Sequence, residues 1–417
     1  MGVRPGFKCT EVSVFPQNWA TGEVGDLNPF VTSGSRGWAK FYSDQGAPFV
    51  RITNMSRDSI YLDLSDLKLV NLPAGEREGT RTQLQTGDVL VSITADIGII
   101  GFVDDSLPKP AYINQHIALV RFDPSKVSSR FVSYFLAGER SQKLFRDTTD
   151  VGAKAGMSLT GVRRLVLALP TTLAEQQAIA AALADVDSLL SALDKLIAKR
   201  RDLKQAAMQQ LLTGPQRLPG FEGEWKVKCL SELCRSITDG THFTPKYVDD
   251  GIPFYSVENV TADEFKNTKF IAPSEHQKLI KRCKPERGDL LLTRIGSIGE
   301  TKLIEWDVNA SIYVSLALLK VNGDVNARYL YSYTKCRQFV KDLEDRSLLN
   351  AAPRKINMGD IGDVPVPVPG PAEQDAIAAV LSDMDAEIAA LKTRRDKTLL
   401  LKQGMMQELL TGRTRLV

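Results

Sequence analysis

One stretch of this sequence occurs twice. "AEQQAIAAALADVD", Ala174–Asp187, returns 198 residues later as "AEQDAIAAVLSDMD", Ala372–Asp385. Carried on without a gap, Ala174–Gly214 and Ala372–Gly412 agree at 22 of 41 positions and both close on Leu-Leu-Thr-Gly. A duplication of this length constrains the fold before any other feature does, because each copy must find equivalent surroundings. Fainter echoes fill the rest: "GAPFVRITN" from Gly46 answers "GIPFYSVEN" from Gly251, "GDVLVSITADIG" from Gly87 answers "GDLLLTRIGSIG" from Gly288, and "HIALVRF" from His116 answers "SLALLKV" from Ser315. The chain therefore reads as two related units of roughly 200 residues, each a globular half followed by a long segment.

The long segments have the pattern of helices. Apolar residues at Ile179, Leu183, Val186, Leu190 and Leu193 alternate steps of four and three, and Ile377, Leu381, Met384, Ile388 and Leu391 repeat the pattern. This is a heptad seam. No proline interrupts either copy, and Pro170 and Pro371 precede them. About 38 helical residues span on the order of 57 Å and would leave the seam exposed without a partner. Charge indicates the direction of pairing. Ala174–Ser191 holds three acids and no base, and Ala192–Gly214 holds five bases and two acids; in the second copy the counts are five and none, then five and two. Parallel helices would set acid against acid. Antiparallel helices set the acidic start of one against the basic end of the other, and the gradient also suits each helix dipole. An intermolecular coiled coil is the alternative, but two copies within one chain favour an intramolecular antiparallel pair.

The junctions point the same way. The middle reads "LLTGPQRLPGFEGEW", Leu211–Trp225, while the C-terminus reads "LLTGRTRLV" and the N-terminal region holds "VRPGF" and "FPQNW". Joined end to end, the termini nearly regenerate the middle, as in a pseudo-two-fold repeat whose second junction is made by the two chain ends. The expected divisions are 1–173 and 215–371 as globular domains, with 174–214 and 372–417 as the helices and the C-terminal junction. Within the globular parts, strands are expected at Pro48–Ile52, Val89–Ile93, Ile117–Phe122, Phe254–Val257, Leu290–Arg294 and Leu316–Val321. Amphipathic helices are expected at Ser129–Phe145 and Asn326–Leu343. The class is α+β.

Composition narrows the function. Hydrophobic residues make up 43% and charged residues 25% of the chain, as in ordinary globular proteins. No apolar run approaches the eighteen or so residues of a membrane span, and no signal core opens the chain. Five cysteines without a C-x-x-C pair and three histidines argue against structural zinc and fit a reducing cytoplasm. No Gly-rich dinucleotide loop and no phosphate-binding G-x-x-x-x-G-K-[ST] loop is present. "NPF" at Asn28–Phe30 lacks the second proline of a base-methylation motif, and Glu258 in "SVEN" lacks the lysine of a metal nuclease. Cys229 and Cys234 are read as packing thiols and His116 as a strand histidine. What remains suits DNA. "TSGSRGWAKFY", Thr32–Tyr42, and "TDGTHFTPKY", Thr238–Tyr247, are Gly-containing loops mixing hydroxyls, cations and aromatics. Such groups hold phosphates, while Arg, Asn and Gln read base edges. The candidate DNA-binding residues are Ser35, Arg36, Trp38, Lys40, Asn54, Asn114, Gln115, Lys154, Thr241, His242, Thr244, Lys246, Tyr247, Asn259, Arg294, Arg354 and Lys355. The bland alternative for such loops is a solvated turn.

The duplicated "EQ.AIA…L…D" helix start, the "LLTG.TRL" end and the "RLPGF.GEW" junction resemble the specificity subunit of type I restriction–modification enzymes, over essentially the whole chain. "GSRGWAKFYSDQGAPFVRITN" and "ITDGTHFTPKYVDDGIPFYSVEN" resemble the openings of that family's target recognition domains. The resemblance implies a non-catalytic subunit whose two domains read the two parts of a split, asymmetric site in double-stranded DNA, with the helices setting the unread spacer. It implies two modification subunits as partners, carrying S-adenosylmethionine and adenine methylation, and restriction subunits using ATP and Mg for translocation and cleavage. No cofactor or metal is expected on this chain. The strong divergence of the halves outside the helices agrees with two different half-sites. The competing readings are a two-fold scaffold that does not touch DNA, a self-contained methyltransferase or nuclease, and the specificity protein of a related system whose modification and cleavage share one partner polypeptide.

Overall fold

The computed structural model describes residues 5–10, 14–73, 79–148, 156–348 and 350–416. The chain divides into two compact units, Met1–Asp194 with Thr393–Val417, and Lys195–Lys392.

In the first unit an antiparallel four-stranded sheet runs in the order Phe30–Ser33, Ile117–Arg121, Val89–Ser92, Ile100–Phe102. A second four-stranded sheet runs Tyr112–Ile113, Ala47–Val50, Lys68–Val70, Tyr42–Ser43, with the first pair parallel. Ala20–Glu23 pairs with Val166–Leu169 just before the long helix. The second unit repeats this topology. Cys234–Asp239, Leu316–Val321, Leu290–Thr293 and Thr301–Leu303 form one sheet. Tyr247–Val248, Lys269–Ile271, Ile252–Tyr255 and Ser311–Ile312 form the other, and Lys226–Cys229 pairs with Pro365–Val368.

The central strands are apolar without alternation because both faces are buried. Val89, Val91, Ala118 and Val120 enter one core of the first unit, while Leu90, Ile117 and Leu119 enter another. Leu290, Leu292 and Leu319 are likewise divided from Leu291, Leu316 and Leu318 in the second unit. The expected strands are present, shifted by one or two residues at their ends. The two expected amphipathic helices are each broken in two. Ser129–Ala137 and Glu139–Thr148 meet at an extended Gly138, where Ser141 Oγ donates to the Phe135 carbonyl at 2.8 Å. Ala327–Thr334 and Arg337–Asp345 are separated by Lys335 and an extended Cys336. Hydrophobic spacing persists through both breaks because both pieces face the same core, so periodicity alone does not reveal them.

Two helices of 39 residues, Leu173–Leu211 and Pro371–Leu409, dominate the rest. Each begins one residue before the repeat and stops three residues short of its glycine. Gly214 and Gly412 have φ of 86° and 67°, the left-handed region that ends a helix without a Cβ penalty. Within each unit the start of one helix runs antiparallel to the end of the other. In the first unit Asp187 pairs with Lys402 at 2.6 Å and Asp194 with Arg395 at 3.1 Å. In the second, Arg200 pairs with Glu387 at 2.9 Å and Lys204 with Asp385 at 2.5 Å.

The seam residues divide by role. Ile179 and Leu183 join the sheet core of the first unit together with Leu409 and Leu410. Ile377 and Leu381 do the same in the second with Leu211 and Leu212. Leu190, Leu193 and Ile388 are buried, whereas Val186, Met384 and Leu391 are half-buried. The seam read from the sequence is thus partly a helix–sheet seam. The "AEQ" that opens both copies of the repeat has a structural purpose. Gln176 donates from Nε2 to the Pro170 carbonyl at 3.0 Å and accepts from Ser128 N at 2.9 Å. Gln374 makes the equivalent bonds to Pro369 and Asn326. Glu175 and Glu373 are buried and take a bidentate arginine each, Arg415 and Arg217. Arg415 lies in the C-terminal tail and Arg217 in the middle junction, and Gly412 packs on Pro16 and Trp19 as Gly214 packs on Trp225. The chain ends thus remake the internal junction, as the sequence implied. Among the described residues, no helix is long and apolar enough to cross a membrane.

Candidate nucleic-acid interface

The two Gly-containing loops occupy the same place in the two units, each leaving an edge strand of the first sheet for an edge strand of the second. Each begins at a glycine that the adjoining backbone would crowd. A Cβ on Gly34 would lie 2.1 Å from the Asn114 carbonyl oxygen, and one on Gly240 would lie 2.1 Å from that of Ile312. Only glycine permits this approach. An arginine then braces each loop. Arg81 donates to Thr32 Oγ1, to the Ser33 carbonyl at 3.0 Å and to Ser35 Oγ at 3.1 Å. Arg282 donates to Asp239 Oδ1. Both stand seven residues before the aspartate of a Gly-Asp pair whose buried carboxylate holds a cation, Asp88 with Arg121 at 2.6 Å and Asp289 with Lys320 at 2.7 Å. Neither bracing arginine was singled out in the sequence, although the "GDVLV" and "GDLLL" echo places them at matching positions.

Asp239 is the centre of the second loop. It is buried and faces Arg282, His242 Nε2 at 2.9 Å and Arg294 Nη1 at 3.3 Å. Burial lowers the affinity of Arg294 for its proton, and Asp239 opposes that effect. Arg294 also donates to the carbonyls of Val314 at 3.0 Å and Ile356 at 3.2 Å. It is a structural cation and not a free base reader. Thr244 Oγ1 bonds the Tyr313 hydroxyl at 3.3 Å, Lys269 lies over the Tyr247 ring at 5.3 Å, and Thr241 closes a tight turn on Phe243. Thr241 is half-buried, while His242, Thr244, Lys246 and Tyr247 are exposed.

Several of the other candidates turn inward. Asn54 accepts from Arg51 N at 3.0 Å and donates to the carbonyls of Asp63 and Asp66, and Asn259 accepts from Ser256 N at 2.9 Å and donates to the Glu264 carbonyl. Both amides are buried turn-formers at equivalent positions, held by backbone groups and turned away from solvent. Trp38 is buried and stacks on Phe49 at 4.8 Å. Asn114 accepts from His116 N, and Gln115 faces the His116 ring at 3.0 Å. Arg354 is committed to Ser347 Oγ at 2.8 Å and the Glu344 carbonyl at 2.9 Å. Lys154 lies outside the described residues. Ser35 is tied to Arg81, and Arg36, Lys40 and Lys355 are exposed. The first loop thus presents Arg36 and Lys40 with Trp38 tucked away, whereas the second presents His242, Lys246 and an outward Phe243, which the sequence reading overlooked. Among the described residues no group of three or more His, Cys, Asp or Glu side chains is placed to hold a metal.

The chain matches the type I restriction modification DNA specificity domain twice, over residues 16–200 and 222–400. It is 23% identical to the putative type I restriction enzyme MjaX specificity subunit of Methanocaldococcus jannaschii, covering 98% of this chain and 96% of that one. It is 22% identical to the type I restriction enzyme EcoBI specificity subunit of Escherichia coli, covering 72% and 68%. Its fold is similar to that of the type I restriction–modification S subunit from M. genitalium, with a TM-score of 0.62, 15% identity and 98% of both chains covered. A chain from a structural study of complex assembly and conformational transition in the type I system gives a TM-score of 0.59 at 17% identity, covering 96% and 99%.

Proposed function

Because this chain belongs to the type I restriction–modification DNA specificity family, we propose that its two units read the two unlike halves of a split site in double-stranded DNA. The observation that carries this reading is the pairing of one topology with two different loops. Equivalent glycines and bracing arginines hold them, but one offers Arg36 and Lys40 and the other His242, Phe243 and Lys246. Phosphate contacts from such cations position a domain, and a few base-edge contacts discriminate at about 1–3 kcal/mol each. Two modest readers on one frame act at high effective concentration and bind together far more tightly than either alone.

The reading extends to partners. Leu203 and Leu401 occupy equivalent helix positions, one in each unit, and are 44% and 59% exposed. Two exposed leucines in matching surroundings suit two copies of one modification subunit. Those partners bring S-adenosylmethionine and adenine methylation, restriction subunits bring ATP and Mg, and this chain performs no catalysis. The assembly works in the cytoplasm, in keeping with five free cysteines.

The helices contribute residues to both units, and their length sets the unread spacer. Inserting four residues into each adds about 6 Å, nearly two base pairs of roughly 3.4 Å. Mapping methylated adenines in cells carrying the variant should show the same half-sites with a longer spacer. Altered half-sites with an unchanged spacer would refute the ruler. Methyl transfer by the isolated chain with labelled S-adenosylmethionine would refute the division of labour.

A further inference from the structure

Phe243 is 83% exposed, more than any other large apolar side chain among the described residues. It is not a loose tip. Thr241 N donates to the Ile312 carbonyl at 3.1 Å, and Val314 N donates to the Thr241 carbonyl at 3.0 Å. Phe243 N donates to Thr241 Oγ1 at 3.2 Å. The next residues are fixed by the Thr244–Tyr313 bond and by a buried Pro245. Behind the loop, the buried Asp239 holds His242 and Arg282. A phenyl ring held in water is unfavourable for the isolated chain, since its apolar surface gains from burial. The surrounding groups say what covers it. Lys246, Lys269 and Arg282 are cations, and His242, Thr241 and Thr244 add hydrogen-bonding groups, a setting suited to a polyanion and not to an apolar protein face.

We propose that Phe243 is a specificity-determining residue of the second unit, reading a thymine through apolar contact with its C5-methyl group in the major groove. The inference rests on the DNA-reading function proposed above. A phenyl ring has no donor or acceptor and cannot read the hydrogen-bond code. The thymine methyl is the apolar group that a base edge presents in the major groove. Insertion between base pairs is the other use of such a ring, but it requires unstacking at a few kcal/mol, usually repaid by a broad apolar surface. Phe243 stands alone between polar neighbours. In the first unit Trp38 is buried and Arg36 is exposed, and the exposed Tyr42 corresponds to the strand residue Tyr247 and not to Phe243, so the contact belongs to one half-site only.

The test uses the full chain assembled with its modification subunit on the methylated motif identified in the host genome. Each specified thymine is replaced in turn by uracil, which removes only the methyl. One position, in one half-site, should cost wild type about fourfold in affinity, the equivalent of about 0.8 kcal/mol for a buried methyl. Phe243→Ala should weaken binding to the thymine duplex roughly tenfold and lose the uracil penalty at that position alone; Phe243→Leu should keep part of both effects. Phe243→Ala with unchanged affinity overturns the assignment. So does a uracil penalty that persists in Phe243→Ala, and so does a half-site in which no thymine shows one. Weaker binding without coupling to the methyl indicates ring insertion and also overturns it. If the wild-type assembly shows no sequence preference at all, the DNA-reading function itself fails, a result distinct from each of these.

Discussion

Lys402 and Lys204 stand at the same position in the two copies of the long helix, and each faces the same partner, Asp187 and Asp385. Their surroundings differ. In the Asp187–Lys402 pair the side chains are only 8% and 7% exposed, and Tyr134 donates its hydroxyl to the same carboxylate at 2.6 Å. Burial first, and the Asp187 charge second, push the Tyr134 hydroxyl far above the usual tyrosine range, so it stays a donor at any physiological pH. In the Asp385–Lys204 pair the side chains are 59% and 23% exposed. Breaking a buried pair by removing one partner leaves an uncompensated charge and costs about 3–5 kcal/mol. Breaking an exposed pair costs about 0.2–1 kcal/mol. Lys402→Ala and Lys204→Ala are matched in helix propensity, so the contrast reports their surroundings: burial, the Tyr134 hydroxyl on Asp187 and a 3.4 Å bond from Lys402 Nζ to the Asp58 carbonyl. For a unit of about 200 residues each kcal/mol moves Tm by roughly 2–4 °C. Lys402→Ala should therefore lower the Tm of the first unit by on the order of 10 °C, and Lys204→Ala that of the second by a few degrees or less. Scanning calorimetry, with hydrogen exchange assigning each transition to its unit, gives the comparison. The double variant Asp187→Asn with Lys402→Met should recover most of the loss, since it removes both charges and leaves an amide oxygen to accept from the Tyr134 hydroxyl. Equal losses at the two lysines, or no recovery in the double variant, would refute the reasoning.

The junction pairs should behave in the opposite way. Glu175 and Glu373 are both buried, so Arg415→Ala and Arg217→Ala should each destabilise the unit that holds them, by similar amounts, as judged by Tm. The Glu286 carboxyl is held below its ordinary range by hydrogen bonds from Lys320 at 2.9 Å and Lys284 at 3.2 Å. A carboxyl lowered on folding stabilises above its unfolded pKa, and that stability is lost as pH falls through the folded value. The gap in urea midpoint between wild type and Lys284→Met, which touches Glu286 and not the buried Asp289, should thus be full near pH 7 and close as pH falls below about 4.5.

The repeat, its heptad spacing and its charge gradient determined the two helices, their antiparallel pairing within each unit and the joining of the chain ends at a second junction. Those are matters of period and of local charge, which a linear sequence carries in full. The central strands were legible for the same reason, as apolar runs too short for helices. What only the tertiary structure decided is which polar side chains are free. Asn54, Asn259 and Arg294 have the chemistry of base readers, yet the two amides are turned inward onto backbone groups of their own turns, and Arg294 onto Asp239 and the distant Val314 and Ile356 carbonyls. Trp38 and Phe243 are similar aromatics in equivalent loops; Phe49 and Tyr112 bury one, and nothing covers the other. Asp187 and Asp385 are the same residue in the same repeat, but Tyr134 covers the first, and Ser332, at the matching position, turns back onto the Arg328 carbonyl. Burial belongs to neighbours brought together by folding, so no reading of the repeat could have told the two apart.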